Sequence, residues 1–90
     1  MISHENPEKI IEQSNADLYL IIFIASDGHH YVWKSTGFAT TPLTANESSL
    51  YMNAIKKQDA LSEFYSALKN AENLFSEGGT LKITPLPKFT

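Results

Sequence analysis

The sequence predicts an α+β fold: a small, mainly antiparallel sheet packed on one long amphipathic helix, with a short helix at the amino-terminal end. Three observations carry the prediction. Two β-branched and aromatic runs, 18–25 and 30–36, meet at Asp27-Gly28. Apolar residues recur at helical spacing over about residues 59–77, and an alternating segment at 80–84 is closed by prolines. The 90 residues make one domain spanning 1–90. A chain this short buries only about 60% of its unfolded surface, so a deep cleft between lobes is not expected.

Pro7 suits a first helical turn and Ile10 and Ile11 supply apolar contacts, so residues 7–14 read as a short helix that needs tertiary support. Leu18–Ala25 is apolar on both of its alternating faces, which suits a central strand. Asp27-Gly28 reads as a two-residue type I′ turn, because glycine accepts positive φ at no steric cost. That turn sets Ile24 opposite Tyr31 and Ile22 opposite Trp33. Residues 37–43, rich in Thr with Gly37 and Pro42, read as a loop. Thr44 to Glu47 has the form of a capping box, yet 45–57 fits a strand as well as a helix. A single helix over 45–77 would be about 50 Å long, which favours a break near Gln58 with Asp59 as N-cap. Leu61, Phe64, Tyr65, Leu68, Ala71 and Phe75 then form the helical stripe, and Gly78-Gly79 stop it. Thr80–Thr84 alternates as a half-buried strand, and Pro85 and Pro87 mark it as an edge.

Charge narrows the function. Ten carboxylates oppose seven basic residues, giving a net charge of −3, and every basic residue is Lys. Without Arg there is no bidentate reader of phosphate or guanine, and dispersed Lys do not form a duplex-binding patch. Duplex DNA is therefore not expected as a partner. The chain has no Cys, so thiolate metal sites and disulfides are ruled out. The longest apolar run, Leu18–Ala25, has eight residues against the roughly 20 that span a bilayer. With no secretory leader in view, a soluble cytoplasmic protein without membrane association is expected.

Few constellations suggest chemistry. Adjacent strand residues His29 and His30 point to opposite faces, and only Asp27 and His4 offer His29 company as a metal ligand. The plainer reading is a solvated hairpin tip with no metal. Ser26, Asp27 and His29 supply triad residue types without a nucleophile elbow or an oxyanion site. No glycine loop precedes a helix, so no phosphate-binding cofactor is expected. Glu72 falls at the rim of the helical stripe, its stem packed and its head wet.

The aromatic residues Tyr31 and Trp33 leave two function classes standing. They read as core beneath the long helix, sharing a face with Leu20, Ile22 and Ile24. One helix covers one face of the sheet, so the opposite face, with Tyr19, Ile21, Phe23, His30, Val32 and Lys34, is expected to be covered either by the 45–57 segment or by a partner, and a partner is the reading taken. The expected function is a non-catalytic protein-binding module, an inhibitor, regulator or adaptor that occupies a surface of a larger protein or forms a homodimer. The alternative is a single-stranded nucleic-acid-binding domain that stacks bases on the sheet aromatics.

Overall fold

The computed structural model describes residues 2–41 and 53–87. In chain order the elements are β1 (Ile2–His4), α1 (Pro7–Gln13), β2 (Leu18–Ala25), β3 (His30–Trp33), β4 (Phe38–Thr41), β5 (Ile55–Lys56), α2 (Lys57–Leu74) and β6 (Gly79–Pro85). Among the described residues six strands form one sheet in the order β1-β6-β2-β3-β4, with β5 paired to the start of β2. Only β1 and β6 run parallel. The expected α+β class, central hairpin and long helix are all present.

Two strands were not legible. β4 occupies the stretch read as a loop, where Phe38 and Ala39 pair with Trp33 and Val32. β1 flanks β6 over Gly79–Leu81, so among the described residues β6 is an edge only from Lys82 onward. There the edge is partly blunted by Glu5, whose carboxylate accepts the Ile83 N–H at 3.3 Å. The undecided stretch 45–57 lies outside the described residues up to 52; its end forms β5 and opens α2.

Helix boundaries follow local chemistry. At α1, Asn6 accepts the Lys9 N–H at 3.3 Å as N-cap and Pro7 takes the first turn. At α2 the cap position is Lys56, which makes no side-chain cap bond, and the Lys57 N–H donates instead to the Asp17 carbonyl at 3.0 Å. Asp59, expected as the cap, sits in the first turn, where its charge still favours the helix dipole. The buried stripe is Ala60, Phe64, Ala67 and Ala71. Leu61 and Tyr65, expected in the core, are 37% and 45% exposed. Small residues face the sheet because the sheet brings the bulk: Tyr19, Ile21, Phe23 and Trp33 are its large buried side chains.

The hairpin turn decides which residues those are. The Gly28 N–H donates to the Ala25 carbonyl and the Ala25 N–H to the His29 carbonyl, both at 2.9 Å. Gly28 has φ of +90°. This is a three-residue loop with a glycine bulge, not the two-residue turn expected. Ile24 therefore pairs with His30, Phe23 with Tyr31 and Ile22 with Val32. A shift of one residue exchanges the faces of β2 relative to β3. Tyr19, Ile21 and Phe23 lie under α2 with Tyr31, Trp33, Leu81 and Ile83, and α1 packs on the same side through Ile10 and Ile11. The opposite face carries Leu18, Leu20, Ile22, Val32, Ala39 and Leu86.

Gly79 is the closest approach in this packing. A Cβ there would lie 2.4 Å from the Phe23 ring and 2.5 Å from the Ile24 carbonyl oxygen. Gly79→Ala should cost about 1–3 kcal/mol through overpacking, read as a lowered denaturation midpoint; an unchanged midpoint would contradict the contact. The register makes a second prediction. Phe23→Ala should cost about 3–5 kcal/mol and Ile24→Ala no more than about 2, and equal losses in urea unfolding would contradict the pairing.

Candidate interaction surface

The six residues expected to meet a partner are divided by the register. Tyr19, Ile21 and Phe23 are 0% exposed beneath α2 and offer no surface, a correction that follows from the bulge at Gly28. His30 and Val32 alternate on the side of β3 away from α2, and Lys34 follows the end of the strand. Val32 is buried there with Leu20 and Leu86, His30 is half-buried and Lys34 exposed. Leu86 is anchored by its N–H, which donates to the Leu18 carbonyl at 2.9 Å. The partly buried residues packed against this second cluster include Leu18, Ile22, Ala39 and Ala54. Leu20, Val32 and Leu86 on the outer face are therefore buried rather than displayed.

The aromatic residues of the sheet are turned inward. Phe75, the C-cap of α2, stacks on Phe23 with ring centroids 4.2 Å apart and meets Tyr31 at 4.9 Å and Phe38 at 5.6 Å. Trp33 meets Phe38 at 5.0 Å, edge to face. Its indole N–H is buried without a hydrogen-bond partner.

Where α2 ends against the hairpin tip, a groove of about 210 Å³ opens. Tyr31 and Phe75 form its aromatic lining, Leu74 and Ser76 stand beside them, and Asp27 and Glu77 bring two carboxylates. Backbone bonds fix its walls. The Ser26 N–H reaches the Gly78 carbonyl at 3.3 Å, and the Gly78 N–H closes the helix end on Phe75 at 3.0 Å. Asp27 accepts the His29 N–H at 3.0 Å and faces His29 Nδ1 at 2.9 Å. The His29 backbone bond first, and its ring second, hold the Asp27 carboxyl below its ordinary range, so it is ionised at neutral pH. Leu74 is 62% exposed, the most of any large apolar side chain among the described residues. Sequence periodicity missed this site because Phe75 and Leu74 belong to one apolar helix end, and only the tertiary fold brings Asp27 and Glu77 to one groove.

A second, shallow and polar groove of about 430 Å³ lies at the other end of α2, lined by Ser35, Lys56, Asp59, Ser62 and Glu63 among others. Ser35 holds a left-handed φ of +69° in the β3–β4 turn and its hydroxyl donates to Glu63. Positive φ at the first loop position alone is the pattern of a type II′ turn, which favours glycine there. Ser35→Val should lower stability by about 1–2 kcal/mol and Ser35→Gly should stay within about 1 kcal/mol of the parent, as read by thermal melts; the reverse order would contradict this turn.

Among the described residues no three His, Asp or Glu side chains converge on a metal position, and no helix is long and apolar enough to cross a membrane. Comparison with protein-family models, with curated proteins and with solved structures finds no match.

Proposed function

We propose that the chain is a small non-catalytic protein-binding module, a regulator, inhibitor or adaptor. It engages a larger protein with the end of the molecule where the hairpin tip meets the end of α2. The groove between them carries this reading. Aromatic side chains held by packing, next to an exposed aliphatic one, are the kind of surface from which binding hot spots are made, because little conformational entropy is lost when a partner docks. The fixed backbone of the groove walls adds preorganisation of the same kind.

Two observations support a binding role over the other classes. Tyr31, Phe23, Phe38 and Phe75 spend their faces on one another, which leaves little of them to stack on single-stranded bases. The Asp27–His29 pair has the partners of a catalytic dyad but stands in water, with side chains 57% and 69% exposed. Catalysis by such a pair needs a water-excluded site, where its electrostatics are stronger.

Affinity capture from the native host, with mass spectrometry and Leu74→Glu as control, tests the reading. Leu74 is exposed, so the variant should melt with the parent. The parent should retain a partner that the variant loses. Retention of the same proteins by both, or of none by the parent, would overturn the proposal.

A further inference from the structure

β4 closes the strand order and has no neighbour on its outer side among the described residues. We propose that a second copy of the chain pairs with this edge, β4 against β4 and antiparallel, to make one continuous sheet. The contact is separate from the groove at the end of α2 and stands whether or not that groove holds a partner.

Two hydrogen bonds fix where the backbone groups of β4 point. The Lys34 N–H donates to the Gly37 carbonyl at 2.8 Å, so these residues are a bonded pair of the β3–β4 ladder. Bonded and non-bonded pairs alternate in an antiparallel ladder. Val32–Ala39 and His30–Thr41 are therefore bonded, and Trp33–Phe38 and Tyr31–Thr40 are not. The β2–β3 ladder gives the same phase. There the Ala25 N–H donates to the His29 carbonyl at 2.9 Å, which turns the backbone groups of Tyr31 toward Phe23 and away from Thr40. The N–H and C=O of Phe38 and Thr40 thus point off the sheet, and no described residue satisfies them.

Sheet edges are ordinarily blunted by charge, proline, a bulge or shortness. At the opposite margin β1 is three residues long, the Glu5 carboxylate accepts the Ile83 N–H at 3.3 Å, and Pro85 ends β6. Phe38-Ala39-Thr40-Thr41 contains no charge and no proline, and its register with β3 is unbroken. This contrast selects the occupant. Head-to-tail pairing with the opposite margin would meet a blunted edge, whereas β4 meeting its own copy closes as a two-fold dimer.

The edge is self-complementary. With the axis at Ala39, Phe38 of each copy opposes Thr40 of the other, and every outward N–H meets a carbonyl. Phe38 beside Thr40 is an aromatic and β-branched pair of the favourable kind, and the alanines at the axis are small. Both α2 helices then lie on one face of the joined sheet. Strands this short make a contact below the roughly 1,000 Å² of a stable interface, so the dissociation constant should lie between about 10 and 100 μM.

Sedimentation velocity of the full chain from about 10 μM to 1 mM, with Thr40→Pro beside it, tests the proposal. The Thr40 N–H takes no part in the β3–β4 ladder, and proline is tolerated on an edge strand where its nitrogen faces outward. The variant should melt with the parent at low concentration and dimerise at least about tenfold more weakly. Amide exchange of the parent needs no variant. Phe38 and Thr40 should exchange as free amides at the low concentration and at least about threefold more slowly at the high one, with Ala39 protected at both. A parent that stays monomeric at 1 mM, equal association of parent and variant, or fast exchange of Phe38 and Thr40 at every concentration would overturn the dimer. Should Thr40→Pro fail to fold, the exchange rates of the parent decide.

Discussion

The bulge at Gly28 sets the pairing of β2 with β3, and through it the side of the sheet on which every large residue of β2 falls. With the three-residue loop, Phe23 stands beside Tyr31 and the two aromatic rows of the hairpin share one face. That face then carries enough bulk to require a helix with almost none. Ala60, Ala67 and Ala71 let α2 lie close, and Phe64 is the one large side chain it buries fully, with half-buried Leu68 and the C-cap Phe75 beside it. β6 follows the same parity, with Leu81 opposite Phe23 and Ile83 opposite Ile21. A two-residue loop would set Tyr31 and Trp33 against Leu20, Ile22 and Ile24, and the buried rows would no longer agree.

The same parity explains why Gly79 is a glycine. β6 begins where the Phe23 ring lies across its backbone, and Phe75 covers the other side of that ring. The end of α2, the start of β6 and the hairpin tip are thus joined around one aromatic side chain. The groove is a by-product of this junction, since two loops that meet over a ring leave space at their margin.

Much of the fold was legible because local signals were strong. The hairpin, the long helix and the proline-terminated strand each have a distinct period or punctuation, and all appear. The register was not legible, because β2 is apolar on both faces and either pairing buries a plausible row. Ser-Asp-Gly serves a two-residue and a three-residue loop equally well at the level of residue types. β4 was missed because Thr-rich segments with a nearby glycine and proline look like loops until a neighbouring edge pairs with them. The helical stripe was misplaced toward Leu61 and Tyr65 by weighting large side chains over alanines. The candidate groove had only Phe75 and Asp27 as separate hints, and nothing in the spacing joined them.

Strand β2 has both edges paired, and part of that protection comes from far along the chain. One of its edges is taken by β6, whose residues lie some sixty positions later. During synthesis, Leu18–Ala25 emerges as eight uncharged residues with neither Gly nor Pro, long before residues 79–85 exist to pair with it. Such a segment has the composition of a steric zipper. The nascent hairpin can satisfy one edge only. The other must wait for chain completion, as non-local sheet topologies do. Protection in the finished sheet and vulnerability to aggregation on the ribosome are therefore two properties of a single strand, separated by the time needed to translate the helix that lies between its partners.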